Sequence, residues 1–189
     1  MRKLKLQMQL TANGFVAGPA GELDWMLWDW DDELKQYVTG LTDSVGTILL
    51  GRKMTDGFVN HWANVASKPD NPEFSYGKKF TDMPKVVFTK TLAQSKWPNT
   101  IVANGNLNDE VLNLKKQKGK DLMVYGGAGF VSSLIKENLI DEYYLFVNPV
   151  AIKEGLTIFS NITNKFQLNL VDAKKFNCGI VLLRYKPAE

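Results

Sequence analysis

The residues whose types and spacing could do chemistry fall at three points in this chain. The first is Val124-Tyr125-Gly126-Gly127-Ala128-Gly129-Phe130. Leu122 to Tyr125 reads as a short buried strand, and Phe130, Val131, Leu134 and Ile135 follow at helical spacing. A strand that turns through glycine into a helix aims backbone N–H groups and a helix N-terminus at one spot, which suits phosphate or pyrophosphate. Gly126 and Gly127 allow unusual backbone angles and close approach of a ligand to the main chain. Taken alone, a Gly-Gly pair favours the plainer reading, a tight turn with no ligand. The second point is Gly51-Arg52-Lys53, which ends the apolar run Val45 to Leu50. A basic pair just past a strand's C-terminal end stands where open α/β sheets bind ligands, and Arg52 can pair with phosphate. The third is Thr89-Lys90-Thr91, closing a strand from Lys85 to Thr89. If these strands are parallel neighbours, all three points share one edge of the sheet. That edge suits a nucleotide with its pyrophosphate at the helix start and an extra phosphate near Arg52, Lys53 or Lys90. An extra phosphate means NADP rather than NAD.

Gly127-x-Gly129-x-x-Ser132 matches a dinucleotide fingerprint only in part, with Ser132 in place of the last glycine. It lies late in the chain, with no room after it for a doubly wound half, which argues against a standard Rossmann domain. Asp24-Trp25-Met26-Leu27-Trp28-Asp29-Trp30 sets three tryptophans among acids. Asp29, Asp31 or Asp32 could cap a helix carrying Leu34, Tyr37, Val38 and Leu41. The tryptophans either anchor that helix in the core or wall a flat aromatic ligand site. His61, the sole histidine, has no partner motif and reads as structural or exposed.

The elements that must position these groups fit one domain over residues 1–189. Lys3 to Thr11 alternates, with Leu4, Leu6, Met8 and Leu10 on one side and Lys3, Lys5, Gln7 and Gln9 on the other, as in a half-buried strand. Ala12-Asn13-Gly14 makes a turn, Phe15 to Ala17 continues extended, and Gly18 to Gly21 breaks it. Residues 67–81 read as a loop with room for one short helix, serving as a lid or a subunit contact. Thr100 to Ala103 is a short strand, and Asn108 caps a helix to about Lys118. The helix after the glycines ends near Asn138. Asp141-Glu142 open a strand from Tyr143 to Val147, and Phe166–Asp172 and Gly179–Tyr185 form two closing antiparallel strands. The fold class is α/β.

Composition narrows the function. The hydrophobic share of 44% and five tryptophans mark a globular protein. A net charge of +3, and a lysine cluster at 115, 116, 118 and 120 without interleaved aromatics, argue against nucleic-acid binding. Cys178 is the only cysteine, which excludes an internal disulfide and a cysteine-rich metal site, and no metal is expected. The N-terminus lacks the apolar core of a signal peptide, and no run is long enough to span a bilayer. A soluble cytoplasmic protein with no membrane partner follows.

The order of elements resembles the dihydrofolate reductase superfamily, and within it the branch that includes the C-terminal reductase domain of the bifunctional riboflavin-biosynthesis deaminase/reductase. The resemblance covers nearly the whole chain. It is carried by Tyr125-Gly126-Gly127-Ala128-Gly129-Phe130, Leu139-Ile140-Asp141-Glu142, Asn148-Pro149-Val150, Ile48-Leu49-Leu50-Gly51-Arg52-Lys53 and Asn13-Gly14-Phe15-Val16-Ala17. It implies a three-layer fold, a mixed, mainly parallel sheet flanked by helices, with NADPH across the C-terminal edge and subunits paired as homodimers. It implies an NADPH-dependent reductase passing hydride to a planar heterocycle or a ribosylamino-pyrimidine, as a 5-amino-6-(5-phosphoribosylamino)uracil reductase does. Cofactor contacts then fall to Asn13, Val16, Gly51, Arg52, Lys53, Thr89, Lys90, Tyr125, Gly126, Gly127, Ala128, Gly129 and Phe130. Trp25 and Trp28 wall the substrate, with Asp32 as proton donor or substrate anchor. The chain departs from the family's pattern at Met54 and Phe146, where folate enzymes carry threonines. The first hydroxyl contact is either lost or taken by Thr55. Lys153-Glu154-Gly155 keeps one glycine of a richer turn. Two alternatives follow: a pterin reductase, or a non-catalytic NADP-binding, stress-linked dimer, which the two missing threonines favour.

Overall fold

The computed structural model describes residues 1–188. In chain order the elements are β1 (Leu4–Thr11), α1 (Asp32–Asp43), β2 (Val45–Gly51), α2 (Arg52–Ala66), α3 (Phe74–Asp82), β3 (Lys85–Phe88) and β4 (Thr100–Ala103). They continue with α4 (Leu107–Lys116), β5 (Asp121–Val124), α5 (Ala128–Lys136), β6 (Glu142–Asn148), β7 (Leu168–Lys175) and β8 (Val181–Pro187). One sheet holds all eight strands in the order β4-β3-β2-β5-β1-β6-β8-β7. The first six run parallel, while β8 pairs antiparallel with β6 and β7 antiparallel with β8.

Helices cover both faces. Val111 and Leu114 of α4 and Val131, Leu134 and Ile135 of α5 pack on one, with Leu4, Leu6, Leu122 and Val124. Leu34, Val38 and Leu41 of α1, Trp62 of α2 and Phe80 of α3 pack on the other, with Ile48, Leu50, Met123 and Phe146. Parallel strands covered on both sides must be apolar on both sides, and the runs from Val45, Leu122 and Tyr143 meet that demand. The mainly parallel three-layer fold expected from the sequence is therefore present.

The half-buried reading of β1 is corrected. β1 lies between β5 and β6 in the middle of the sheet, so its polar side faces helix α1 rather than solvent. Lys5 and Gln7 are buried, and Lys5 Nζ reaches Asp121 Oδ2 and Ser44 Oγ, both at 2.9 Å. Other boundaries shift for local reasons. Asp31 caps α1, its Oδ1 accepting from the Leu34 N–H at 2.8 Å. Asn106, not Asn108, caps α4 and accepts from the N–H of Asn108 and Asp109. Residues 67–81 do contain one short helix, α3. Helix α2, absent from the sequence reading, puts Phe58, Val59 and Trp62 against the core from an otherwise polar segment.

The N-terminal edge of the sheet carries a charge network. Glu142 Oε1 accepts from Lys3 Nζ at 2.6 Å, and its Oε2 accepts from the Tyr144 hydroxyl at 2.7 Å, with Arg184 Nη2 at 3.6 Å. Burial pushes the Glu142 carboxyl up, but the Lys3 and Tyr144 hydrogen bonds and the nearby cations more than offset it and hold it below its ordinary value. Asp121 behaves alike, with burial opposed by Lys5 and the Lys3 N–H. A carboxyl whose pKa is depressed by folding stabilises above its unfolded value and loses that contribution as pH falls through its folded value. Stability is therefore expected to hold near neutrality and to fall below about pH 4.5. Thermal melts across pH test this, and Glu142→Gln should lower the neutral plateau and flatten the acid slope. An unchanged slope in that variant would assign the acid sensitivity elsewhere.

Candidate functional site

Strands β3, β2 and β5 are consecutive parallel neighbours, so Thr89, Gly51-Arg52 and Tyr125-Gly126-Gly127 leave the sheet along one edge. Gly127 is the N-cap of α5 with φ +77°, in the region that favours glycine. The first backbone bond of the helix runs from the Val131 N–H to the Gly127 carbonyl at 2.9 Å. The N–H groups of Ala128, Gly129 and Phe130 precede it, and no side chain caps them. A Cβ at Gly129 would have no atom within 4 Å, so this first turn faces open space. A Cβ at Gly51 would lie 2.7 Å from Phe130 Cβ, and this close approach seats the start of α5 on the end of β2. Phe130 also packs on Phe88, with ring centroids 4.9 Å apart.

The basic residues at this edge differ in availability. Arg52 Nη1 bonds Asp56 Oδ2 at 3.1 Å, and its guanidinium lies 5.5 Å from the Trp97 ring centroid. Asp56 Oδ1 also accepts from Trp97 Nε1 at 2.9 Å and pairs with Lys96 Nζ at 3.0 Å. The Lys96 bond, then that of Trp97, holds the Asp56 carboxyl below its ordinary range. Lys96 and Trp97 thus join the edge. They lie some forty residues along the chain from Asp56, in a loop with no motif to flag them. Lys53 is exposed and makes no ion pair among the described residues. Lys90 turns to the carbonyls of Asn104 and Gly105. Thr89 Oγ1 accepts from the Thr91 N–H at 3.1 Å. Thr55 is fully buried and donates to the Gly51 carbonyl at 3.1 Å, so it does not replace the hydroxyl missing at Met54. The Met54 sulfur itself packs beneath Gly126.

The other expected site residues differ in how far their neighbours engage them. Tyr125 does not turn its ring to the edge. It stacks on Phe58 and meets Phe80 in the core, and burial raises its phenol well above the ordinary value. Only its backbone belongs to the turn. Asn13 is engaged in a clamp, its Nδ2 donating to the Ile152 carbonyl at 2.7 Å and its Oδ1 accepting from the Ile152 N–H at 3.3 Å. Val16 is buried, with its N–H on the Leu156 carbonyl at 2.8 Å. Of the expected substrate wall, Trp25 is half-buried with its Nε1 enclosed, whereas Trp28 is 67% exposed and Asp32 is exposed on the first turn of α1. The engaged acid is Asp31, whose Oδ2 accepts from the Cys178 N–H at 2.9 Å. The Leu34 N–H first, and that of Cys178 second, keep its carboxyl below the ordinary range.

A polar row on the buried face of β1 was not legible as a site in the sequence. Asn148, fully buried at the end of β6, donates through Nδ2 to Gln9 Oε1 at 2.8 Å and to the Leu10 and Phe146 carbonyls, each at 3.3 Å. Its Oδ1 accepts from the Leu27 N–H at 3.1 Å, which ties the tryptophan loop to the sheet. The Asn-Pro at the strand end was the one available signal. A cavity of about 300 Å³ lies between Asn106, Asn108, Ser133, Lys136, Glu137 and Asn161, and includes none of the strand-end residues.

A three-layer, mainly parallel sheet that turns through glycines into a helix beside its central strand defines a dihydrofolate reductase-like domain. The chain belongs to the RibD C-terminal domain family, whose model matches residues 2–182. It is 33% identical over 187 residues to the uncharacterized protein YyaP of Bacillus subtilis (strain 168), covering 97% of this chain and 94% of that one. A candidate riboflavin-biosynthesis protein of Shewanella sp. PV-4 shares the fold at a TM-score of 0.73 and 18% identity, with both chains covered in full (100%). Dihydrofolate reductase from Enterococcus faecalis, solved with NADP(H), shares it at a TM-score of 0.58 and 17% identity, covering 99% of this chain and 97% of that one. No helix among the described residues is long and apolar enough to cross a membrane.

Proposed function

We propose that the protein is an NADPH-dependent reductase acting on a planar heterocycle, in the first place a ribosylamino-pyrimidine of the 5-amino-6-(5-phosphoribosylamino)uracil type. The observation that carries this reading is the uncapped first turn of α5, open to solvent at Gly129 and flanked on the same edge by the basic end of β2. A pyrophosphate is an anion that such a turn accommodates without a dedicated side chain. The backbone of Gly126, Gly127, Ala128, Gly129 and Phe130 would hold it. Lys53, with Arg52 and Lys90, would face the extra phosphate that distinguishes NADPH from NADH. When bound, the cofactor supplies the hydride. The chain's own part is to orient the two rings, exclude water and leave the basic edge free for phosphate. The shared fold of the Shewanella riboflavin-biosynthesis protein and of the Enterococcus reductase with NADP(H) supports a riboflavin-pathway substrate and this cofactor.

A pterin reductase is less well supported, because Asp31 has both oxygens on backbone N–H groups and Asp32 faces solvent. A non-catalytic NADP-binding role is the second reading, favoured by Met54 and Phe146. Edge strand β7 exposes Leu170 and Val171, which supports pairing of two copies as a homodimer. The deciding experiment follows NADPH oxidation with the ribosylamino-pyrimidine phosphate and with dihydrofolate. Turnover of the pyrimidine is expected. NADPH binding without turnover of either compound would select the non-catalytic reading.

A further inference from the structure

Lys85 is a buried cation without an anion. It opens β3, is 2% exposed, and makes no ion pair among the described residues. Its ammonium donates to the Thr81 carbonyl at 3.0 Å and to the Met83 carbonyl at 2.8 Å, closing the C-terminal end of α3. An ammonium has three donors, and these bonds use two of them. A helix C-terminus offers only about half a negative charge, which leaves part of the lysine's charge unbalanced. Lysines this deeply buried are normally paired. Burial lowers the pKa of Lys85, and the exposed Asp82 opposes this only in part.

Thr81 supplies a second unmet group. Its Oγ1 is buried and has no hydrogen-bond partner, although a helical threonine can donate to the carbonyl one turn back. Buried polar groups are normally hydrogen-bonded, and those that are not call for a reason. Thr81 and Lys85 both line a cavity of about 20 Å³. The rest of its wall includes Val59, Trp62, Phe80 and Pro98. Trp62 packs on Phe80 with ring centroids 4.4 Å apart, which stiffens that wall. The lining therefore offers a cation, a hydroxyl and apolar surface, and no carboxylate. A space of roughly 10–15 Å³ holds one water, so this cavity takes a single guest of about that size. Phosphate and sulfate are too large for it.

We infer that this cavity between α2, α3 and the start of β3 is a binding site for a monatomic anion of halide size, chloride under ordinary ionic conditions. The remaining N–H of Lys85 and the Thr81 hydroxyl donate to it, and the apolar wall shields the pair from water. A water molecule could accept both hydrogen bonds, but it would not balance the charge of Lys85. The bound anion ties α2, α3 and β3 together, so the stability of the fold becomes dependent on halide. The site lies at the opposite end of β3 from Thr89 and the edge proposed for the cofactor phosphates. It therefore does not rest on the reductase reading.

The test follows thermal melting of the full chain at constant ionic strength, with sodium gluconate replaced stepwise by sodium chloride. Gluconate is too large for the cavity. At ten times its dissociation constant, a guest that binds only the folded state raises the folding constant about elevenfold. For a domain of this size that is a rise of about 3–6 °C in melting temperature. The rise should saturate, and sodium bromide should reproduce it. Thr81→Val removes the hydroxyl at nearly constant shape. It should weaken chloride on the order of tenfold, the usual scale for leaving one buried ligand hydrogen bond unmade. Its melting temperature in gluconate should hold or rise, since an unpartnered buried hydroxyl is removed. Lys85→Met should abolish the chloride response, whatever its own stability in gluconate. Residues with a structural role alone would shift the melting temperature and leave its halide dependence unchanged. Crystals soaked in sodium bromide should show the bromide by anomalous scattering beside Lys85 Nζ. A wild-type melting temperature independent of chloride would overturn the inference. So would an unsaturated rise that is the same in Thr81→Val, or a soaked crystal with no bromide in the cavity.

Discussion

Gly129→Asp should abolish most NADPH binding while leaving the protein folded and at least as stable. Gly129 is the second residue of α5, exposed, and a Cβ added to its backbone would have no atom within 4 Å. An added side chain therefore meets nothing in the free protein. Replacing a helical glycine by aspartate gains about 0.3 kcal/mol of helix propensity, and a carboxylate in a first turn interacts favourably with the helix dipole. The same carboxylate would sit where the pyrophosphate is proposed to bind. Two like charges about 5 Å apart at a surface repel by roughly 3 kcal/mol, which corresponds to a loss on the order of 100-fold in affinity. Gly129→Ala separates charge from bulk and should retain NADPH within several-fold. If Gly129→Asp binds NADPH like the wild type, the pyrophosphate does not sit on this helix. Gly127 is a poorer probe, because any side chain there is strained at φ +77° before a ligand is considered.

Asn148→Leu carries the second large effect. The wild-type amide joins β6, β1 and the tryptophan loop through four hydrogen bonds, to the Leu27 N–H, Gln9 Oε1 and the Leu10 and Phe146 carbonyls. Leucine leaves the Leu27 N–H and the Gln9 amide without their partner in a buried place. Unsatisfied buried groups cost about 1–3 kcal/mol each, so a total loss of roughly 2–5 kcal/mol is expected. For a domain of this size that lowers the melting temperature by about 2–4 °C per kcal/mol. The loop from Leu23 to Asp31 should also open more readily, because its other hydrogen bond to a distant part of the chain is the Cys178 N–H on Asp31. Limited proteolysis reads this directly, as faster cleavage within the loop. A melting temperature within 1–2 °C of wild type, on the scale of a surface substitution, would show that Asn148 does not hold these elements together.

Much of the fold was legible because parallel strands buried on both faces leave continuous apolar runs. Val45 to Leu50, Leu122 to Tyr125 and Tyr143 to Val147 each read as strands, and β2, β5 and β6 lie there, β5 ending at Val124. The glycine turn after Val124 was visible for the same local reason, since few residues other than glycine take its backbone angles. The polar side of β1 was misread because alternation alone cannot say whether a polar face meets water or a helix. Lys5 is buried because Asp121 lies beside it on the neighbouring strand, and that pairing is set by sheet order rather than by local sequence. Gln7 and Gln9 were hidden by the same misreading. Helix α2 was missed because Phe58, Val59 and Trp62 sit among polar residues and follow the glycine-marked strand end directly. Among the acids near the tryptophans, the sequence left three possible caps, and only the Cys178 hairpin, far along the chain, distinguishes Asp31 from its neighbours. Tyr125 was assigned to the site by its place in the glycine motif, but strand alternation turns its ring into the core.

The central claim is that NADPH lies on the shared edge of β3, β2 and β5. Titration of the purified protein with NADPH and, separately, with NADH, read by tryptophan fluorescence, tests it most directly. Saturable binding with a clear preference for NADPH is expected, since the extra phosphate would meet the basic end of β2. Equal binding of the two would contradict the assignment of Arg52, Lys53 and Lys90 to that phosphate. Absence of binding by either would contradict the claim itself and leave the glycine turn as a structural corner.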